Sequence, residues 1–259
     1  MLKSRRQRGA EGLAAMSLTR KLLMQLAEFD TPTVCNVIDL FAVRPRTEGY
    51  VSRDVGAAFP DLPPVVGVAC TATFVSSSPS SSDDPYGCVE DLFHAIEARE
   101  LPVIVACQDL DWPPRAATFG DVMCSIYQQL GAAALMTTGA GRDLAQIRAL
   151  RFPVFMHSRI AAHAYCRASQ VGVPIALGGL QVHPDDLIHA DGNGITQVPA
   201  SIAADLPEAA GEYLKCEAIV SSAIASGAAT AADLAAARRE MIDGISRLKG
   251  RVSRKGSSA

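Results

Sequence analysis

Between residues 88 and 156 the chain switches repeatedly between two apolar rhythms, and this alternation limits the folds open to it more than any other feature. Residues 88–99 carry apolar side chains at helical spacing, 101–107 form a short buried run, and a loop enters a helix at Thr118-Phe119-Gly120-Asp121-Val122-Met123. A second buried run follows at Gly131-Ala132-Ala133-Ala134-Leu135-Met136-Thr137-Thr138. Gly139-Ala140-Gly141 then reads as a tight turn opening another helix at Arg142-Asp143, ahead of the strand Pro153-Val154-Phe155-Met156. After this the pattern becomes strand upon strand, at 173–177, 187–190 and 194–198, divided by turns at Gly178-Gly179, Pro184-Asp185 and Asp191-Gly192-Asn193. Alternation first and consecutive strands later predict an α/β fold with mixed sheets, rather than a purely doubly wound parallel sheet.

The flanks extend this unit with helices. Residues 18–28 and 33–41 have helical spacing, with Thr31-Pro32 suited to a first turn. Residues 65–75 alternate as a strand, and the Ser, Pro and Asp of 76–84 read as a surface loop. Residues 208–226 and 230–248 form an Ala-rich helical arm whose Leu206, Ala210, Tyr213, Leu214, Val220 and Ile224 make an apolar stripe. The expected division is a disordered basic tail at 1–16, one main domain at 17–227, a C-terminal helix at 228–248 and a second disordered basic tail at 249–259. Both tails carry clustered Lys and Arg with Gly and Ser and lack apolar periodicity.

Several function classes are disfavoured. A net charge of -3 supplies no basic field for nucleic acid or an anionic membrane, and no apolar run reaches spanning length. The basic N-terminal run lacks the apolar segment of a secretory leader. Seven cysteines without a C-x-x-C pair suit reduced thiols in a cytoplasm better than disulfides or a zinc site. None of the five histidines has paired-ligand spacing; His157, which follows a strand end, is the one candidate for a place near a site, against the simpler and favoured reading of a loop histidine. Neither a phosphate-binding G-x-x-x-x-G-K-[ST] loop nor a strand-linked G-x-G-x-x-G is present.

One constellation carries chemistry: Asp121, then twenty residues, then Arg142-Asp143. Two carboxylates beside a helix N-terminus suit a hard divalent cation, and the guanidinium offers a planar fork for an oxo acid. Asp in a first helical turn also serves as a cap, and an Arg-Asp pair is also a common solvated surface. Both alternatives stand on the residues alone.

The order of several further pieces resembles the ribonuclease-activity-regulator-A-like family, which includes class II pyruvate aldolases acting on 4-hydroxy-4-methyl-2-oxoglutarate. The pieces are Phe29-Asp30-Thr31-Pro32-Thr33, Phe119-Gly120-Asp121, Gly139-Ala140-Gly141-Arg142-Asp143, Phe152-Pro153-Val154-Phe155, Gly178-Gly179-Leu180-Gln181-Val182-His183-Pro184 and Asp186-Leu187-Ile188, followed by Ala190-Asp191-Gly192-Asn193-Gly194. The resemblance implies a swivelling β/β/α-type fold, assembled as a homotrimer or homohexamer with sites in clefts between subunits. It implies that Asp143 ligates Mg2+ or Mn2+, that Asp121 reaches the ion through water, and that Arg142 clamps a small 2-oxo acid with help from the backbone N–H groups of Val122 and Met123. The implied activity is a metal-dependent lyase cleaving a 4-hydroxy-2-oxo acid to pyruvate, with oxaloacetate decarboxylation as a side reaction. The alternative is a non-catalytic, protein-binding regulator of a ribonuclease complex.

Three departures bear on that expectation. Thr138 stands where many members carry Asp, His157-Ser158-Arg159 replaces a turn of small residues, and Asp109-Leu110-Asp111-Trp112-Pro113-Pro114 replaces a Gly-rich loop. Asp109 and Asp111 are candidates to join a metal shell, and Arg115 to bind a second carboxylate, against the simpler reading of all three as solvated loop charges. Together the departures imply retained chemistry on a different substrate.

Overall fold

The computed structural model describes residues 18–52, 54–80 and 86–256. The expected tail at 1–16 lies outside the described residues. The chain opens with α1 (Arg20–Leu26), where Thr19 accepts from Leu22 N–H, and α2 (Thr31–Phe41), where Asp30 accepts from Thr33 N–H at 2.8 Å and Pro32 sits in the first turn. Then come β1 (Gly56–Ala57), β2 (Val65–Val75), α3 (Val89–Glu97), β3 (Val103–Asp109), β4 (Ala117–Phe119), α4 (Asp121–Gln129), β5 (Ala132–Thr137), β6 (Ala140–Gly141), α5 (Leu144–Ala149), β7 (Val154–Met156) and β8 (Ser158–Arg159). The strand-rich half holds β9 (Arg167–Val171), β10 (Ile175–Leu177), β11 (Leu180–Val182), β12 (Leu187–Asp191) and β13 (Gly194–Gln197), and α6 (Leu206–Ala225) and α7 (Ala231–Gly256) close the fold.

The main sheet is mixed, as the sequence pattern predicts. Its order is β1-β7-β5-β3-β2-β12-β13, parallel from β2 through β3 and β5 to β7 and antiparallel at both margins. The long β2 serves two partners along one edge, β12 against its first half and β9 against its second. Side chains of β3 show why this sheet needs cover on both faces. Val103, Val105 and Cys107 pack with Leu92, Ile96, Tyr127 and Ile147 of α3, α4 and α5, whereas Ile104 and Ala106 pack with Ile175, Leu177, Leu180 and Val182 of the β10-β11 hairpin. A third core joins α1, α2, α6 and α7 through Leu23, Ile38, Phe41, Leu206, Ala210 and Leu248.

Two expectations change. The C-terminal helix does not end at residue 248 but runs to Gly256, because Val252 continues the buried stripe of Leu248 one turn later and Arg251 pairs with Glu212 at 2.6 Å. Gly139-Ala140-Gly141 does not open a helix at Arg142. Ala140 and Gly141 form a strand, Asp143 is the N-cap, and α5 starts at Leu144.

That strand belongs to a second, three-stranded parallel sheet, β4-β6-β8. Its members directly follow β3, β5 and β7 in the chain, so each of three neighbouring strands of the main sheet feeds one strand of the small sheet. Whatever follows β4, β6 and β8 therefore emerges side by side.

Candidate active site

Parallel pairing of β4 with β6 sets Phe119 opposite Gly141, and Arg142 N–H donates to Phe119 carbonyl at 3.3 Å. Gly120-Asp121 and Arg142-Asp143 leave the two strands together, which is how residues with twenty others between them meet. The approach is close: a Cβ on Gly120 would lie 2.4 Å from Asp143 Oδ2 and 3.3 Å from Arg142 Nε. Gly141 is constrained from the other side, since a Cβ there would lie 2.2 Å from Cζ of the buried Phe119 ring. Both glycines are therefore required by neighbours across the strand pair.

Asp143 occupies the left-handed region, φ 57° and ψ 33°, and although it is the N-cap of α5 its side chain makes no capping hydrogen bond. A non-glycine residue in that region carries a backbone cost that the surrounding structure has to sustain. Here the carboxylate instead lies 3.4 Å from Arg142 Nε, with both side chains about a third exposed. Arg142 Nη1 also donates to Ala161 carbonyl at 3.2 Å. Asp121 is the first residue of α4, and its Oδ1 accepts from Val122 N–H at 2.8 Å. The Val122 N–H expected to meet a substrate is thus already engaged by Asp121, while Met123 N–H lies in the helix's first turn, beyond the reach of intrahelical acceptors. Burial, reinforced by the charges of Asp121 and Asp143, pushes the Cys124 thiol up to about 12.

A cleft of about 400 Å3 opens at this point. Arg142, Gly120, Val122 and Met123 line it, whereas Asp121 and Asp143 are not among its lining residues. It also contains side chains that no motif in the sequence ties to the site: His163 and Arg167 toward solvent, and Phe74, Val89 and Phe93 as an apolar wall. Val89 and Phe93, four apart on α3, carried a signal, but one indistinguishable from ordinary core periodicity.

The departures from the family pattern lie elsewhere. Asp109, Thr138 and Trp112 line a separate depression of about 480 Å3 at the ends of β3 and β5, with Gln108 and Gly178. His157 faces Trp112, ring centroids 4.9 Å apart, and its Nδ1 pairs with Asp54 carbonyl at 2.9 Å, so it is His163 that reaches the Arg142 cleft. Asp111 is partly buried, which opposes ionisation, yet hydrogen bonds from Ser77 and Ser76 hold its carboxyl below the usual range and commit it to anchoring the loop. Asp109 is buried; Oδ1 accepts from Asp111 N–H, Oδ2 has no partner, and desolvation pushes the carboxyl up to about 6. Arg115 is exposed.

Among the described residues no group of three or more His, Cys, Asp or Glu side chains is positioned to hold a metal ion. What the site offers is two carboxylates, one of them an N-cap Asp free of capping duty with its oxygen at a position where any side chain on residue 120 would collide. Such a donor set fits a hard cation of the Mg2+ type, which keeps several waters and needs one or two carboxylates plus substrate oxygens.

Comparison with known proteins gives a consistent picture. The model of the RraA-like family, Aldolase/RraA, matches residues 31–196. A curated relative from Halalkalibacterium halodurans, described as a putative 4-hydroxy-4-methyl-2-oxoglutarate aldolase, is 37% identical over 84 residues, which is 32% of this chain and 40% of the relative. The chain thus matches less than half of that protein's length. An uncharacterised protein from Pseudomonas syringae pv. tomato superimposes with a TM-score of 0.68 at 20% identity, covering 89% of this chain and 98% of the other. Streptomyces coelicolor RraAS2, described as an unusual member of the RNase ES inhibitor RraA protein family, superimposes with a TM-score of 0.62 at 23% identity, covering 77% and 95%. At those identities the two structures speak for the fold alone. No helix among the described residues is long and apolar enough to cross a membrane.

Proposed function

The chain belongs to the RraA-like, Aldolase/RraA family, and from that premise we propose that it is a divalent-metal-dependent lyase that cleaves a 4-hydroxy-2-oxo acid to pyruvate and an aldehyde or ketone. Oxaloacetate decarboxylation is the accompanying activity, because loss of CO2 leaves the same pyruvate enolate. The observation that carries the reading is the meeting of Arg142 and Asp143 with the N-terminus of α4 at the mouth of a cleft of small-molecule size.

In this reading Asp143 and, through water, Asp121 would hold Mg2+ or Mn2+, which when bound would withdraw charge from the 2-oxo acid as the enolate develops. Arg142 receives the substrate carboxylate in its planar fork, giving up part of its contact with Asp143 and Ala161 carbonyl. The partial positive charge of the α4 N-terminus, including Met123 N–H, supports the same carboxylate. Asp121 orients the water that takes the C4 hydroxyl proton. The C3–C4 bond then breaks, its electron pair passes into the enolate, and the water that took the hydroxyl proton returns one to C3 to give pyruvate. We further propose assembly as a homotrimer or a dimer of trimers.

The test is pyruvate release from oxaloacetate by the purified full-length protein, followed in a coupled assay with Mg2+ or Mn2+. Turnover that disappears with a chelator and in Asp143→Ala supports the lyase. Protein that is inert with every divalent ion yet inhibits a ribonuclease overturns it in favour of the regulator.

A further inference from the structure

The cleft beside Arg142 has two ends of different character. Gly120, Val122, Met123 and Arg142 form the end facing the two carboxylates, and from there the lining becomes Phe74, Val89, Phe93, Phe119 and Ala168, drawn from β2, α3, β4 and β9. Phe74, Phe119 and Ala168 are rigid parts of the core, 4%, 4% and 3% exposed, while Val89, Phe93 and Met123 are half-buried and present their outer surface to the cleft. Phe93 is also braced edge-on by the buried Tyr127, ring centroids 6.2 Å apart. The wall is thus preformed.

Two cationic or titratable groups at the mouth have to be weighed against an apolar occupant. Arg167 donates to the carbonyls of Ser78 and Tyr165 and His163 Nδ1 pairs with Ala164 carbonyl, contacts that hold both to backbone at the mouth without neutralising the Arg167 charge. Arg142 remains the cation facing the reacting end.

Resting on the lyase reading above, we propose that the group carried on C4 of the substrate is apolar and of aryl size, so that the carbonyl product is an aromatic or similarly bulky apolar aldehyde and not an acidic one. With the carboxylate on Arg142 and the α4 N-terminus, a 4-hydroxy-2-oxo acid directs its C4 substituent along the cleft onto Phe93, Phe74 and Phe119. An aryl ring there meets aromatic edges and faces, an arrangement more favourable than area burial alone. A carboxylate laid against Phe93, Phe74 and Phe119 instead loses its hydration to an apolar wall. The overall step is R–CH(OH)–CH2–CO–COO− giving R–CHO and the pyruvate enolate, which takes up one proton; the hydroxyl proton is released, and no oxidant or further reactant is needed.

The experiment uses the full chain with Mg2+ and two readouts. Deuterium exchange into the methyl group of pyruvate in D2O reports enolate formation and needs no C4 substituent. Cleavage of three racemic substrates with phenyl, methyl or carboxylate on C4 then reports the subsite. The expected result is exchange, with kcat/KM for phenyl at least about tenfold above methyl and carboxylate, the scale on which apolar pockets discriminate. Phe93→Ala, and independently Val89→Asn should the first variant fold poorly, should shrink the phenyl-to-methyl ratio about tenfold. Exchange accompanied by a preference for methyl or carboxylate, or a ratio untouched by both variants, overturns the subsite and leaves the lyase standing. Absence of exchange removes the lyase reading and the subsite with it. If the variants instead change the sedimentation of the assembly, the wall is covered by a second copy of the chain and the proposal is wrong.

Discussion

Replacing Gly120 with Ala separates the site from the scaffold more cleanly than removing a carboxylate. Gly120 has φ -144° and ψ -167°, extended backbone that alanine adopts without strain. The added methyl meets two side chains only at close range, Asp143 Oδ2 at 2.4 Å and Arg142 Nε at 3.3 Å, where ordinary contact begins near 3.4 Å. Because the colliding oxygen is the end of a partly exposed side chain, it can retreat by about 1 Å, and folding tolerates this. Catalysis does not: a misplacement of about 1 Å costs roughly 100-fold, or about 2.7 kcal/mol of transition-state stabilisation. The folding cost is about 1 kcal/mol, from alanine being the poorer N-cap, and a chain of this size then melts about 2–4 °C lower. The assay pairs Mn2+ titration by calorimetry with kcat/KM for oxaloacetate and a melting curve. Wild-type metal affinity and turnover in Gly120→Ala would refute the argument that Asp143 must occupy that space. A melting point lower by ten degrees or more would show that Gly120 serves packing alone.

The remaining expectations contrast with that one. Gly141→Ala should do the reverse, lowering stability by about 1–3 kcal/mol in urea titrations, because the Phe119 ring it meets at 2.2 Å is part of the packed core and has to shift to admit the methyl. Arg142→Lys should raise KM about tenfold or more with little change in melting temperature, since a point charge replaces a fork; an unchanged kinetic profile removes the clamp role. Asp121→Asn should lower kcat by at least about 100-fold while the protein melts within a few degrees of wild type, and loss of the fold instead would make Asp121 a structural cap. Asp109, with its carboxyl raised to about 6 from an ordinary 3.8 by desolvation, binds more protons folded than unfolded between those values. Stability should therefore fall as pH rises from about 4 to about 6, by at most roughly 3 kcal/mol, with the loss complete above that window. Asp109→Asn should be more stable than wild type at pH 8 and lose the advantage near pH 4; an advantage independent of pH would sink the assignment.

The long elements were legible because their apolar spacing is long enough to have a period. The strand expected at 65–75 is β2 residue for residue, and the helices expected at 18–28, 33–41, 88–99 and 208–226 all occur with small shifts at their ends. The short strands were not: β4, β6 and β8 have three, two and two residues, too few to show alternation, and a Gly-Ala-Gly sequence looks like a turn whether or not it pairs. The basic C-terminus reads as a solvated tail because its Lys and Arg, set among Gly and Ser, show no apolar periodicity, yet Val252 one turn after Leu248 is enough to bury one face.

By itself the sequence determined which side chains of the site exist and roughly where each stands along its element: Asp121 at the start of a helix, Arg142-Asp143 after a buried strand, and glycines beside both. Tertiary structure decided that these positions meet, that Asp143 takes a left-handed conformation without capping its helix, and that the cleft they border is walled by phenylalanines from β2, α3 and β4. The physical reason is range. Periodicity records which face of one segment leaves water, whereas the pairing of two very short strands and the convergence of side chains from separate segments depend on how the main sheet orders its neighbours, and the spacing within any one segment does not encode that.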